Sequence, residues 1–146
     1  MDIIPHLVVP DAAGASDWYA HAFGATETAR IPLPNGIVMT VELRLGNAVV
    51  HVASEFPSAG ILAPHSIGGT ATVLQISTDN ADALWQRALD AGAQVHHPIQ
   101  DQFWGERQGQ LVDPFGHRWN IAQHIRDVPL EEMIAAAARA FGEGTA

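Results

Sequence analysis

Cysteine is absent from this 146-residue chain, which excludes disulfide frameworks, thiolate metal sites and cysteine nucleophiles together. Positive charge is scarce as well: 7 Lys and Arg stand against 16 Asp and Glu, and the formal net charge is −9. The few cations form no cluster. Because proteins bind nucleic-acid phosphates through clustered cations, we expect neither DNA nor RNA as a partner.

Long apolar runs and a basic leader are also absent. Residues 1–6 carry no Lys or Arg, and no apolar run approaches the roughly 20 residues that a membrane-spanning helix needs. The pair Gly68-Gly69 lacks the Lys and Ser or Thr of a phosphate-binding loop, and no serine lies in a nucleophile elbow. We therefore expect a cytoplasmic protein without membrane contact, covalent catalysis or nucleotide use.

What the sequence does contain is an internal repeat. Asp11 and Asp79 each precede an alanine-rich segment, and the two segments end at Gly24 and Gly92 with the same offset. Asp is well suited to cap the start of a helix, and Gly to the left-handed residue that ends one. Short β-favouring runs precede and follow each helix, and two further strands come after them. The sequence therefore predicts a βαβββ module twice.

The predicted fold is α+β, with residues 1–146 in one domain of two modules. Module one covers about residues 1–55, and module two covers about residues 70–126. A linker rich in Pro, Gly and Ser, about residues 56–69, joins them. Pro129 suits the first helical position and apolar residues recur on one face, so a short C-terminal helix is expected at about 129–141.

Two segments resemble a known family. Residues 102–107 (Gln-Phe-Trp-Gly-Glu-Arg) and 113–119 (Asp-Pro-Phe-Gly-His-Arg-Trp) resemble the signature of the PhnB-like branch of the vicinal oxygen chelate (VOC) superfamily. That superfamily includes glyoxalase I, bleomycin-resistance proteins, fosfomycin-resistance enzymes and extradiol dioxygenases. The resemblance implies mixed sheets that curl into a half-open barrel, with the ligand on the concave face and the helices on the convex face. It does not fix the activity, because one fold serves many chemistries.

Metal-dependent relatives carry His, Gln or Glu ligands on the first and last strands of each module. The resemblance places these four positions at Ile4, Val50, Thr72 and Asn120. Such residue types do not make a divalent-metal site, so we expect no metal and no other cofactor. A site at shifted ligands stays open, since His6 shares a strand face with Ile4 and His51 neighbours Val50 on the opposite face.

His6 and Glu42 are the candidate catalytic residues. His6 is either a cavity-facing base or donor, or a strand residue bonded to a backbone carbonyl. Glu42 lies in an apolar run at residues 38–43, where alternation puts Thr40 and Glu42 on one face. If that face is concave, Glu42 is a candidate general base, and if not, it is a solvent-facing strand residue.

The candidate ligand-binding residues are His6, Trp104, Arg107 and Asn120. An aromatic ring and a guanidinium three residues apart could stack on and clamp a flat or anionic ligand. In the alternative interpretation, Trp104 packs against the C-terminal helix while Arg107 pairs with Asp113 or Glu106. The segment at residues 113–116 is expected to serve only as a β-turn.

Two classes of function remain open. The first is a protein that binds a small, largely flat or aromatic molecule in the curled-sheet cavity, as bleomycin-resistance relatives do. The second is a glyoxalase-like lyase or isomerase, with a divalent metal at shifted ligands or with metal-free acid–base chemistry. We also expect a homodimer, because relatives cover open sheet edges and an apolar face with a second subunit.

Overall fold

The computed structural model describes residues 1–142. Module one contains β1 (His6–Val9), α1 (Ala12–Phe23), β2 (Thr26–Pro32), β3 (Val38–Leu45) and β4 (Ala48–Ser54). The linker contains a 3-10 turn (Pro57–Ala59) and the short helix α2 (Pro64–Ile67). Module two contains β5 (Val73–Ser77), α3 (Ala81–Asp90), β6 (Gln94–Asp101), β7 (Glu106–Val112) and β8 (Arg118–His124), and α4 (Leu130–Phe141) follows it.

Each module forms one four-stranded mixed sheet. The strand orders are β1-β4-β3-β2 and β5-β8-β7-β6, so the first strand of each module pairs with the last. That pairing is parallel in both sheets, and the other pairings are antiparallel. The predicted α+β fold of two βαβββ modules with a C-terminal helix is therefore confirmed. Among residues 1–142, no helix is long and apolar enough to cross a membrane.

Side-chain alternation decides which face of the first sheet is covered. Leu7 and Val9 of β1 are buried in the same core cluster as residues of α1. Because successive strand residues point to opposite faces, His6 and Val8 lie on the other face. We call the face of a sheet that α1 or α3 does not cover its open face.

The second sheet follows the same rule. Leu111 of β7 is fully buried, and Gly109 lies under the ring of Trp85 from α3. A Cβ at Gly109 would stand 2.6 Å from that ring, so the helix packs closely only because this residue has no side chain. Gln108 and Gln110 therefore point to the open face.

The helix ends confirm one predicted cap and correct another. Asp11 caps α1, since its carboxylate accepts hydrogen bonds from the backbone N–H groups of the following turn. The expected cap at Asp79 is wrong: α3 begins after Asn80, whose side chain accepts from the N–H of Ala83 at 3.1 Å. Asp and Asn cap helices almost equally well, so the residue type alone did not decide between these neighbours.

A buried carboxylate joins the two modules. Asp113, which is only 4% exposed, accepts hydrogen bonds from the hydroxyl of Tyr19 in module one and from Nε1 of Trp119 at 2.9 Å. The backbone N–H groups of Phe115 and His117 also donate to it, at 2.9 and 3.0 Å. The residues 113–116 do form the expected turn, but Asp113 is also the polar centre of the core between the modules.

The pKa of Tyr19, one hydrogen-bond partner of this carboxylate, is shifted. Burial raises the pKa of the Tyr19 hydroxyl well above its ordinary value, and the negative charge of Asp113 adds to the rise. The hydroxyl therefore keeps its proton and remains a donor. A second link between the modules runs from the ring of His117, whose Nε2 lies 2.8 Å from the carbonyl oxygen of Val8.

Candidate functional site

The open face of module two contains a groove of about 490 Å³. Its floor consists of amide side chains from β7 and β8, and its walls are aromatic rings from the β6–β7 loop and from the end of α4. The amides of the floor include Gln108, Gln110 and Asn120, and the rings of the walls are those of Phe103, Trp104 and Phe141. A groove with an apolar wall and a few converging polar groups is typical of small-molecule sites.

The indole ring of Trp104 is held in place by hydrogen bonds. Its Nε1 donates to Glu106 Oε1 at 2.8 Å and to Gln108 Oε1 at 3.2 Å. The ring of Phe103 packs edge-on against it, with centroids 4.9 Å apart and an interplanar angle of 90°. Because hydrogen bonds to two neighbouring side chains orient the Trp104 ring, a stacked ligand would lose little binding energy to ordering it.

The loop that carries this ring depends on one glycine. Gly105 has a φ of 90°, a conformation that side-chain-bearing residues rarely adopt. A Cβ there would collide with the carbonyl oxygen of Arg126, because the chain after β8 crosses directly over the loop. The Gly105 carbonyl in turn accepts the N–H of Ile125 at 2.9 Å. These contacts place the aromatic wall beside the segment that leads into α4.

Arg107 lies on the opposite face of the sheet from this groove. Its guanidinium donates to Asp82 at 2.9 Å and to Asp101 at 3.0 Å, so its carboxylate partners are neither Asp113 nor Glu106. The physical reason is strand alternation, since Arg107 shares the helix-covered face with Gly109. The structure thus brings Trp104 and Asn120 together at one groove but does not assemble the Trp104–Arg107 clamp.

On the open face of module one, three titratable side chains form a row. His6 lies opposite His51 across β1 and β4, and His51 lies opposite Glu42 across β4 and β3. The two imidazole rings have centroids 4.7 Å apart, and His51 Nε2 is 3.3 Å from Glu42 Oε2. Thr28 donates its hydroxyl to the other carboxylate oxygen at 2.8 Å. Glu42 is therefore on the open face, beside His6 and His51.

The side chains at the four family ligand positions do not fit a divalent metal. Of the positions that the family resemblance suggests, Val50 is buried on the helix side, while Ile4 and Thr72 precede their strands. Only Asn120 reaches an open face, and a neutral amide is a weak ligand. Within the described part of the chain, no group of three or more His, Asp or Glu side chains has an arrangement that could hold a metal ion.

The comparison with known protein families agrees with this architecture. The family model described as the Glyoxalase/Bleomycin resistance protein/Dioxygenase superfamily matches residues 3–121. The chain belongs to this superfamily. Among curated proteins, it is 41% identical over 143 residues to the uncharacterized protein Mb0911c of Mycobacterium bovis, a match that covers 96% of this chain and 93% of the relative.

Solved structures of the superfamily share the fold. TioX from Micromonospora sp. ML1 is 27% identical, with a TM-score of 0.69 over 86% of this chain and 99% of TioX. A bleomycin-binding protein, solved in complex with bleomycin, is 18% identical with a TM-score of 0.61. That match covers 85% of this chain and 98% of the bleomycin-binding protein. At 18% identity, the second likeness is evidence for the fold alone.

Sequence reasoning found only part of the groove of this superfamily member. It selected Trp104 and Asn120 but missed the amides of β7 and the aromatic residues beside Trp104. A usable signal was present in β7, where Glu106, Gln108 and Gln110 alternate with the helix-facing residues. No comparable signal marks Phe141, which lies 38 residues beyond Phe103 in the sequence and reaches the groove only because α4 folds back; their ring centroids are 6.5 Å apart.

Proposed function

We propose that this superfamily member is a cytoplasmic small-molecule-binding protein of the PhnB-like branch, which holds a flat or aromatic ligand in the groove of module two. The observation that carries the proposal is the fixed Trp104 ring beside the amide floor of that groove. An aromatic pair contributes roughly 0.5–1.5 kcal/mol beyond the area that it buries. A bleomycin-binding protein of the same fold was solved in complex with bleomycin, which is consistent with small-molecule binding on this fold.

Binding in this proposal needs no metal or other cofactor. The groove offers amides and aromatic rings, which recognise a ligand by hydrogen bonds and stacking rather than by coordination. Elemental analysis of the protein as isolated is the check, and we expect less than about a tenth of an equivalent of divalent metal to survive gel filtration. One equivalent that disappears in the His6→Leu or His51→Leu protein would contradict the proposal.

The binding test uses 2-naphthol, a neutral flat probe, in isothermal calorimetry. Replacing the Trp104 ring by the smaller Leu side chain should weaken binding about fivefold or more, because the stacking surface is lost. The matched control is Phe56→Leu, which removes an exposed aromatic ring from the linker. Equal loss in both variants, or no loss in Trp104→Leu while its melting temperature stays unchanged, would contradict the proposal.

We also propose that the protein is a homodimer. The edge strand β2 is exposed along all seven of its residues, and Ile31 in it is 51% exposed. Val95 on β6, an edge strand of the second sheet, is 50% exposed. Unpaired edges with apolar side chains are usually covered in native proteins. Sedimentation equilibrium should give about twice the chain mass of 15.6 kDa, and a single species at 15.6 kDa would contradict the proposal.

A second candidate function, metal-free lyase or isomerase chemistry, is favoured by the His51–Glu42 pair. A carboxylate beside an imidazole orients the ring, which leaves the other ring nitrogen available to take a proton from a bound molecule. The test is proton exchange at the carbon beside the carbonyl of acetoin in deuterated water, followed by NMR. Exchange that His51→Leu abolishes would support this candidate, and exchange at the buffer rate in the unaltered protein would refute it.

A further inference from the structure

Two amide side chains in the lining of the groove are hydrogen-bonded to each other. Gln110 Nε2 donates to Asn120 Oδ1 at 3.0 Å, across the paired strands β7 and β8. A primary amide carries both an acceptor oxygen and an NH₂ donor group. The pair therefore leaves the oxygen of Gln110 and the nitrogen of Asn120 without a hydrogen-bond partner among residues 1–142.

Among the described residues, the lining of the groove contains no Lys, Arg, Asp or Glu side chain. Within the part of the chain that the structure describes, its side chains are amides, aromatic rings, His97, Pro98 and small residues. The carboxylate of Glu106, beside the groove, accepts the indole N–H of Trp104 at 2.8 Å and lies 3.5 Å from the amide of Gln75. An anion placed here would lose its hydration without meeting a Lys or Arg side chain, and hydrogen bonds from amides compensate that loss only in part.

We infer that this groove selects an uncharged planar ring that carries an N–H donor and a carbonyl acceptor on one edge, as a lactam or imide does. The ring N–H donates to Gln110 Oε1, the ring carbonyl accepts from Asn120 Nδ2, and the ring face stacks on Trp104. The inference rests on the proposed function of the same groove and names the ligand class that the groove takes.

The test compares three ligands of similar size by calorimetry with the full-length protein. 2-Oxindole has the complete lactam edge, N-methyl-2-oxindole lacks only the N–H donor, and indole-2-carboxylate carries a negative charge. We expect 2-oxindole to bind about fivefold tighter than its N-methyl analogue, which is the usual size of one neutral hydrogen bond, and the carboxylate to bind most weakly.

Two variants test whether the preference for 2-oxindole over its N-methyl analogue depends on Gln110. Gln110→Leu should bring the affinities of 2-oxindole and N-methyl-2-oxindole within about twofold of each other, because the acceptor for the N–H is gone. Gln86→Leu, a glutamine replacement on the exposed surface of α3, is the matched control and should retain the fivefold preference. A preference that survives Gln110→Leu would overturn the inference.

The outcomes separate this inference from the proposed function. Equal binding of 2-oxindole and its N-methyl analogue to the unaltered protein, or tightest binding of the carboxylate, would overturn the inference and leave flat-ligand binding intact. If none of the three ligands and no 2-naphthol binds, the proposed function fails and the inference fails with it.

Discussion

The two open faces have the same topology but different chemistry. In module one, the row across the sheet is His6, His51 and Glu42; in module two, Gln75, Asn120 and Gln110 form the corresponding row. The first row consists of titratable side chains and contains the His51–Glu42 contact, while the second is built of neutral amides. The fold determines which strand positions lie side by side, and the residue types at those positions determine the chemistry that is possible there.

The faces also differ in what surrounds them. The cavity beside Glu42 and His51 has about 130 Å³, against about 490 Å³ for the groove of module two. Module two has an aromatic loop and a helix, α4, at the margin of its open face. A ligand of drug size needs roughly 300 Å³ or more, so the groove of module two has room for one and the cavity beside Glu42 and His51 does not.

The largest expected effect comes from breaking the link between the modules. In Asp113→Ala, the Tyr19 hydroxyl and the Trp119 indole lose a buried acceptor, so we expect the free energy of unfolding to fall by about 3–5 kcal/mol. Urea titration measures this loss. The exposed Asp90→Ala change is the control, with less than about 0.5 kcal/mol expected. A loss below about 1 kcal/mol in Asp113→Ala would show that the carboxylate is not central to the core.

Two glycines in equivalent loops of the two modules have different surroundings. Gly36, between β2 and β3, and Gly105, between β6 and β7, have similar φ values of 88° and 90°. A Cβ at Gly36 meets nothing within 4 Å, whereas at Gly105 it collides with Arg126. We expect Gly36→Ala to cost about 1 kcal/mol of unfolding free energy and Gly105→Ala about 3 kcal/mol or more. Equal costs would mean that the chain does not cross closely over the Gly105 loop.

The raised pKa of the Tyr19 hydroxyl predicts that folding stability depends on pH in the alkaline range. Because its folded pKa lies above the ordinary value of about 10, its contribution to stability is complete below that pH and declines as pH rises toward the folded pKa. The chain has 1 Tyr, so phenolate absorbance reports Tyr19 alone. Phenolate should appear only together with unfolding, and Tyr19→Phe should abolish this part of the alkaline loss. Titration of the folded protein near pH 10 would contradict the account.

The smallest effect is expected at Arg107. Its ion pairs with Asp82 and Asp101 are at the surface, where such pairs contribute about 0–1 kcal/mol. Arg107→Met should therefore lower the unfolding free energy by less than about 1 kcal/mol and leave 2-naphthol binding unchanged. A clear loss of binding with normal stability would restore this residue to the ligand site and would contradict its placement on the helix-covered face.

Local signals in the sequence were sufficient for the fold and for part of the site. The Asp11 cap, the Gly24 helix end and the alternation along the strands predict the elements. The His51–Glu42 pair was also readable: pairing Leu45 with Ala48 across the tight turn fixes His51 opposite Glu42. This register follows from the turn length alone.

Other features depend on contacts that no local pattern encodes. Strand alternation could not be counted from Trp104 to Arg107, because Trp104 lies in a loop and β7 begins only at Glu106. The hydrogen bond between Asp113 and Tyr19 joins residues that are 94 positions apart. Such pairings are set by how the modules pack, so the buried role of a turn residue was visible only in the structure.

The proposed function places the ligand on the open face of module two and leaves the open face of module one free. The most direct measurement is a backbone amide NMR titration with 2-naphthol. We expect the largest shifts at Trp104, Gln110, Asn120 and Phe141, with His6 and His51 unmoved. Shifts centred on His6, Glu42 and His51 instead would place the ligand on the other face and contradict the account.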